Sequence, residues 1–227
     1  MGLEPNSVSA INPFATQLPD GTWRLYDVDM STGVMTSRSS TDGIHFTPDD
    51  GVRYTAPPEH IPIGVRDFFV NASGDVILLY IGAMAKENHY IRSAVSTDGG
   101  EHFTFHTDDV LGDQNKPGLE RNVDPKFVVL PDGKARLVTM VQYQVPIPGQ
   151  RACCKIYSFT SADGYTYIQD AGVRLQPSDF TEFTVWSLND PWVILLPDGR
   201  YRLYVAALLK YDPTSKPFWA ILSATTP

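Results

Sequence analysis

The sequence is poor in positive charge and cysteine and has no long apolar run, and each scarcity excludes a class of protein. Its 18 Lys and Arg are outnumbered by 26 Asp and Glu, giving a net charge of −8. Nucleic-acid phosphates require clusters of basic residues, so we expect no nucleic-acid partner. No segment approaches the roughly 20 apolar residues of a membrane helix, so we expect no membrane partner. Residues 1–12 show no secretory signal pattern, an observation that leaves the compartment open.

The only two cysteines are neighbours, Cys153 and Cys154. Adjacent cysteines seldom meet ordinary disulfide geometry, so we expect two small buried or half-buried residues in a strand. The histidines share no metal-ligand spacing, and we expect surface positions for His102 and His106. No phosphate-binding loop or nucleophile motif is recognisable. The sequence therefore predicts neither a cofactor nor a metal.

Two kinds of turn recur along the chain. Leu-Pro-Asp-Gly stands at 18–21, 130–133 and 196–199, with a degenerate copy ending at Gly74. Asp-Gly after Pro predicts a tight turn because Gly accepts positive φ, and alternating strand-like residues follow each copy. A second turn, Ser-x-Asp-Gly, stands at 40–43, 96–99 and 161–164, before an aromatic residue. One unit is thus a four-stranded antiparallel meander.

These meanders predict the fold. No sustained 3.6-residue apolar period is present, so helix content should be near zero. Four-stranded meanders repeated about every 60 residues predict an all-β protein, a β-propeller of four-stranded antiparallel blades. A two-sheet sandwich is the alternative, but it does not explain this repeat length. We predict one domain, 1–227, with blades at about 11–55, 64–111, 122–175 and 188–227.

The last blade should lack its outermost strand. Ser37, Ser93, Ser158 and Ser223 occupy one position of the repeat, and Pro227 comes two residues before the glycine expected after Ser223. Either residues 3–10 supply the strand and close a four-bladed ring, or the chain is a truncated piece of a larger, for example five-bladed, propeller. Closure removes exposed sheet edges, and an open ring would be expected to self-associate.

Acidic residues recur where a blade's first strand would line the central channel. Asn12, Asp67, Asp124 and Asp190 occupy equivalent first-strand positions. Converging carboxylates raise one another's pKa and suit acid/base chemistry, sugar hydroxyls or a divalent ion. The competing interpretation is local, since Asp-Pro and Asn-Pro often begin strands by bonding nearby backbone amides.

Further candidates lie beside these positions. Glu120 is expected on a loop at the channel mouth, next to Arg121, and Arg66 precedes Asp67. Trp186, expected in a loop before its strand, could stack on a sugar face, whereas Trp192 is expected in the core. Two further arginines, Arg53 and Arg174, recur at equivalent outer-strand positions and are expected to be scaffold.

Residues 189–204, together with 161–167, resemble bacterial propellers of the sialidase-like and glycoside hydrolase family 43-like superfamilies. Residues 96–103 resemble an Asp-box with Phe103 in place of the usual Trp. The resemblance covers nearly the whole chain, implies the propeller fold and a carbohydrate ligand, and specifies blade turns rather than a reaction.

The five-bladed glycosidases of this group use an Asp base or nucleophile, an orienting Asp and a Glu acid, roles that the resemblance places on Asn12, Asp67 and Glu120. An amide cannot act as a base, so Asp124 or Asp190 would take that role. The alternatives are a non-catalytic propeller that binds carbohydrate or protein, and a truncated or engineered propeller fragment that self-assembles. A true sialidase is not favoured, because only Arg66 and Arg121 are available for its arginine triad.

Overall fold

The computed structural model describes residues 13–18, 20–82, 90–112, 120–143, 154–210 and 214–226. Its helical segments are short 3-10 turns, such as Pro58–His60 and Pro177–Asp179. Within those ranges, no helix has the length and apolar character needed to cross a membrane. Backbone contacts divide the chain into two compact units, Met1–Val110 and Leu111–Pro227, which are described in turn.

Unit 1 contains two antiparallel sheets whose strands follow chain order. The first sheet consists of β1 (Phe14–Gln17), β2 (Trp23–Asp29), β3 (Val34–Ser40) and β4 (Thr47–Pro48), with β5 (Tyr54–Thr55) also paired to β3. The second consists of β6 (Ile63–Val70), β7 (Val76–Gly82), β8 (Tyr90–Ser96) and β9 (Thr104–Thr107). Each sheet is the predicted meander.

Unit 2 repeats this plan. Its first sheet consists of β10 (Glu120–Val129), β11 (Ala135–Tyr143), β12 (Ile156–Ser161) and β13 (Ile168–Gln169). Its second consists of β14 (Thr184–Leu195), β15 (Tyr201–Lys210) and β16 (Phe218–Thr225). The predicted all-β propeller class, with four blade sheets, is confirmed. The fourth sheet has three strands among the described residues, and residues 3–10, the alternative source of a fourth, lie outside them.

The Ser-x-Asp-Gly turns are closed by their own side chains. In the first, Ser40 Oγ accepts a hydrogen bond from the Gly43 amide at 2.9 Å. Asp42 Oδ1 accepts hydrogen bonds from the amides of Ile44 and His45 at 2.8 Å each. The turns at Asp98 and Asp163 repeat this pattern. The interpretation of these aspartates as turn formers is confirmed. Hydrogen bonds from the Thr166 and Tyr165 amides hold the pKa of Asp163 below its usual value.

The hydrophobic core of unit 1 lies between its two sheets. The Tyr26 ring on β2 stacks on Phe68 of β6, with 4.3 Å between ring centroids. Phe103, which follows the second sheet's Ser-x-Asp-Gly turn, meets both rings edge-on at 5.8 Å. Burial raises the pKa of Tyr26 to about 12. Aromatic residues at three repeat positions therefore hold neighbouring sheets together.

Cys154 departs from expectation. It is buried, lies outside the strands and is disulfide-bonded, and the sequence contains only one other cysteine, Cys153. The expected burial of Cys154 is confirmed, whereas its expected place in a strand is wrong, and Cys153 lies outside the described residues. Cys154 has φ of 80°, a backbone conformation that is uncommon outside glycine.

Candidate functional site

The first strands of three sheets are interrupted at the predicted carboxylates. The register shifts between Val65 and Asp67 in β6, between 123 and 126 in β10, and between 189 and 192 in β14. Such β-bulges bend a strand and re-aim a side chain, and they are over-represented next to active sites. Asp67, Asp124 and Asp190 therefore share an irregular backbone position, one in unit 1 and two in unit 2.

Asp124 and Asp190 also share a rare backbone conformation. Each has φ of 48° and each is followed by proline. Positive φ is uncommon for a non-glycine residue, although Asp tolerates it better than most. The strands β10 and β14 contact each other within unit 2, with Asp124 half-buried and Asp190 exposed. Strain of this kind clusters at functional sites.

Asp67 is hydrogen-bonded to the backbone next to it. Its side chain is buried, with 2% of the residue exposed, and its Oδ1 accepts a hydrogen bond from the Phe68 amide at 2.9 Å. This contact is the local bonding that the competing interpretation of the sequence anticipates.

Polar and aromatic side chains lie near the two aspartates of unit 2 along β10 and β14. Arg121 and Asn122 are buried on β10, and Asn122 accepts a hydrogen bond from Thr139 Oγ1 at 2.8 Å. Lys126 Nζ lies 3.7 Å from the centroid of the Trp192 ring, a cation–π contact that joins β10 to β14. Trp192 is 50% exposed, so its predicted place in the core is wrong.

Two residues expected in loops belong to strands. Trp186 lies inside β14 at a bulge, and Lys210 Nζ lies 4.4 Å from its ring centroid. Glu120 is the first residue of β10, paired with Tyr143. The loop assignments are therefore wrong, because both strands extend several residues before the Asp-Pro step. Asn12 and the side chains of Arg66 and Glu120 lie outside what the structure describes.

The pair formed by Lys126 and Trp192 was missed. A signal was present in the sequence, since each residue stands two positions after an Asp-Pro aspartate. A second omission is His60, 2% exposed in unit 1, whose Nδ1 lies 2.8 Å from the Tyr80 hydroxyl and whose Nε2 lies 2.8 Å from Asp108. Burial and the charge of Arg92 lower the pKa of His60. Nothing in its sequence surroundings indicates burial.

Within the described ranges, no cluster of three or more His, Cys, Asp or Glu side chains could hold a metal ion.

No family model matches the chain, and no curated protein matches it in sequence. Its fold matches solved structures. An endo-arabinase from Bacteroides thetaiotaomicron superposes with a TM-score of 0.68 at 14% identity, over 97% of this chain and 76% of that one. A family 93 α-L-arabinofuranosidase of Fusarium graminearum gives 0.65 at 16% identity, over 96% of this chain and 62% of that one.

An α-L-arabinofuranosidase from Lactobacillus brevis gives a TM-score of 0.65 at 15% identity, over 97% of this chain and 74% of that one. The chain thus spans between about three-fifths and three-quarters of the length of these enzymes. At these identities the likeness establishes the fold alone. The fold is one on which glycoside hydrolases are built.

Proposed function

We propose that this protein acts on carbohydrate as a glycoside hydrolase, through Asp67, Glu120 and one of Asp124 and Asp190. The observation that carries the proposal is the pair of aspartates held at φ of 48° on equivalent bulges of β10 and β14. The fold alone requires no bulge and no strained aspartate at these two positions. A site that must direct two carboxylates at a ligand does benefit from a bulge and a fixed backbone conformation at each.

The chemistry requires two carboxyl groups. One protonates the glycosidic oxygen, and the other activates water or attacks the anomeric carbon. Glu120 would be the acid and Asp124 or Asp190 the base or nucleophile, with Asp67 orienting the sugar.

Trp192 supports a sugar ligand, because its half-exposed ring lies next to both strands and is already fixed by Lys126. Trp186, held by Lys210, offers a second aromatic surface on β14. Arg66 and Arg121 would contact substrate hydroxyls, and Asn12 would bind rather than react.

The structural neighbours support a proposal for the substrate class. They include an endo-arabinase and α-L-arabinofuranosidases, and a β-fructofuranosidase from Bombyx mori also shares the fold. We therefore propose furanosides, first among them arabinose-containing glycans, as the substrates to assay.

Activity should be measured on arabinan, aryl arabinofuranosides, fructans and β-1,3-galactan. Glu120→Gln and the more important of Asp124→Asn and Asp190→Asn should lower kcat by about 100-fold or more, the usual contribution of a positioned acid or base. Asp198→Asn, at an exposed turn of the same unit, is the matched control. Absence of turnover on every substrate, or turnover that these variants do not change, would refute the proposal.

A second function is favoured by one residue. The resemblance puts the catalytic base at Asn12, and an amide cannot accept the proton. A carbohydrate- or protein-binding propeller without hydrolysis is consistent with that substitution. A glycan array read together with product analysis separates the two functions, since retained binding without products, weakened by Trp192→Ala, supports the second.

A further inference from the structure

The first strands of the two sheets in unit 2 resume their pairing at Lys126 and Trp192. In β10 the register shifts between 123 and 126, so Lys126 is the first paired residue after the bulge that contains Asp124. In β14 it shifts between 189 and 192, so Trp192 follows the bulge that contains Asp190 in the same way. Lys126 and Trp192 therefore hold the same place in neighbouring sheets, two residues from the aspartates of the proposed site.

The two side chains contact each other across the sheets. Lys126 Nζ lies 3.7 Å from the centroid of the Trp192 ring. Lys126 is 9% exposed, whereas half of Trp192 is exposed among the described residues. A lysine is rarely buried unless its charge is paired, and a cation–π contact is strongest where it is desolvated. The ammonium group therefore covers one face of the indole and limits the orientations that the ring can take.

Unit 1 shows that the fold does not require a charge at this place. The steps Asn-Pro-Phe at 12–14 and Asp-Pro-Lys at 124–126 correspond in the repeat, so Phe14 is the counterpart of Lys126. The Phe14 ring on β1 packs against Phe68 on β6, with 5.3 Å between ring centroids. An aromatic pair thus joins the first strands of unit 1. Packing alone does not account for a lysine in unit 2, because an apolar side chain fills this place without the cost of burying a charge.

The remaining first strand supports a role in the site. In β6 the register shifts between 65 and 67, so Asp67 is the first paired residue after that bulge. Asp67 and Trp192 are both residues of the proposed site. The place that Lys126 occupies in its strand is therefore one that two other sheets give to site residues.

We propose that Lys126 is a positioning residue, whose ammonium group fixes the Trp192 ring so that the opposite face of the indole stacks on the sugar. The inference rests on the proposed function, since it assigns the means by which that site orients its ligand. A ring that is already held in one orientation loses less conformational entropy when the ligand binds. Because Lys126 acts through Trp192, it should determine how tightly the sugar is held and not how fast the glycosidic bond is broken.

The test is a double-mutant cycle on Lys126 and Trp192. The probe is arabinan, followed by fructan and β-1,3-galactan if arabinan is not bound. Isothermal titration calorimetry gives the dissociation constant, and an assay of reducing ends gives KM and kcat. Lys126→Met keeps a side chain of similar length without the charge. It should raise the dissociation constant and KM by about three- to thirtyfold, the range that a cation–π contact supports.

Three further results are expected. In Lys126→Met, kcat should change by less than about twofold, since binding of the ground state and of the transition state is weakened alike. Trp192→Ala should also weaken binding, and adding Lys126→Met to it should have no further effect. Lys126→Arg should restore the affinity of the unaltered protein, because a guanidinium group also stacks on an aromatic face.

The matched control is Lys134→Met, which removes an exposed lysine of unit 2 that pairs with Asp132 and should not change the dissociation constant. Circular dichroism establishes that each variant is folded, and Lys126→Gln replaces Lys126→Met if the latter unfolds. Unfolding of both neutral variants overturns the proposal, because Lys126 would then be scaffold. An unchanged dissociation constant in Lys126→Met overturns it as well. So does an equal loss with and without the Trp192 side chain, or a loss that Lys126→Arg does not restore.

The outcomes separate this inference from the proposed function. Binding that depends on Lys126 and Trp192 as a pair but yields no product would support the inference and overturn the proposed hydrolysis. Hydrolysis with an affinity that Lys126→Met does not change would support the hydrolysis and overturn the inference. Absence of binding to all of these glycans overturns both.

Discussion

The contacts of Phe103 make a quantitative prediction about what holds the sheets of unit 1 together. It is 8% exposed, and its ring lies 5.8 Å, centroid to centroid, from both Tyr26 and Phe68. Phe103→Ala removes these contacts and leaves a space that the surrounding rings fill only partly. Such truncations lower the free energy of unfolding by about 3–5 kcal/mol. Phe105, two residues later on β9, is 39% exposed, so Phe105→Ala should cost about 1 kcal/mol or less.

Urea unfolding followed by circular dichroism measures both variants. The Phe103→Ala protein should show the lower midpoint with an unchanged slope, since the surface exposed on unfolding is nearly the same. Equal losses for the two variants would refute the reasoning, because the turn could not then be an anchor between sheets. A loss confined to Phe105→Ala would refute it as well.

Two further predictions concern the same unit. A Cβ on Gly100 would lie 2.3 Å from the Tyr26 hydroxyl, whereas one on Gly99 would have no heavy atom within 4 Å. Both glycines have positive φ, so the backbone strain of an alanine is common to the two positions. Gly100→Ala should therefore lower the free energy of unfolding by about 1–3 kcal/mol more than Gly99→Ala, because only the first is overpacked. Equal melting temperatures of the two variants would contradict this. The pKa of His60 is lowered in the folded protein, so the unfolded chain binds a proton at this residue more readily. The contribution of His60 to the free energy of unfolding is therefore full above its ordinary pKa of 6.5 and is lost as the pH falls below that value. Unfolding of His60→Gln should therefore depend less on pH between 7.5 and 5.5 than unfolding of the unaltered protein, and identical pH profiles would exclude a role for this group.

Most of the fold was predictable because its signals are local. Asp42 and its counterparts bond amides two to four residues away, so the residues that specify each turn stand next to one another in sequence. Strand alternation is equally local, and together they predicted the blade sheets.

The candidate site was predicted less completely because it depends on contacts between strands. Trp192 was expected in the core, yet half of it is exposed, and Lys126 from another sheet contacts the face of its ring. His60 contacts Tyr80 and Asp108, which are far from it in sequence. The positive φ of Asp124 coincides with a bulge, and an insertion of one residue in a strand has no sequence signature comparable to that of a turn.

The local closure of the Ser-x-Asp-Gly turns bears on how the protein folds. Each hydroxyl and carboxylate finds its partners within four residues, so little chain entropy is lost in forming these loops. Strands that pair with their immediate neighbours in the chain keep contact order low for an all-β protein. We therefore expect strand pairing within a blade to require little search along the chain for partners.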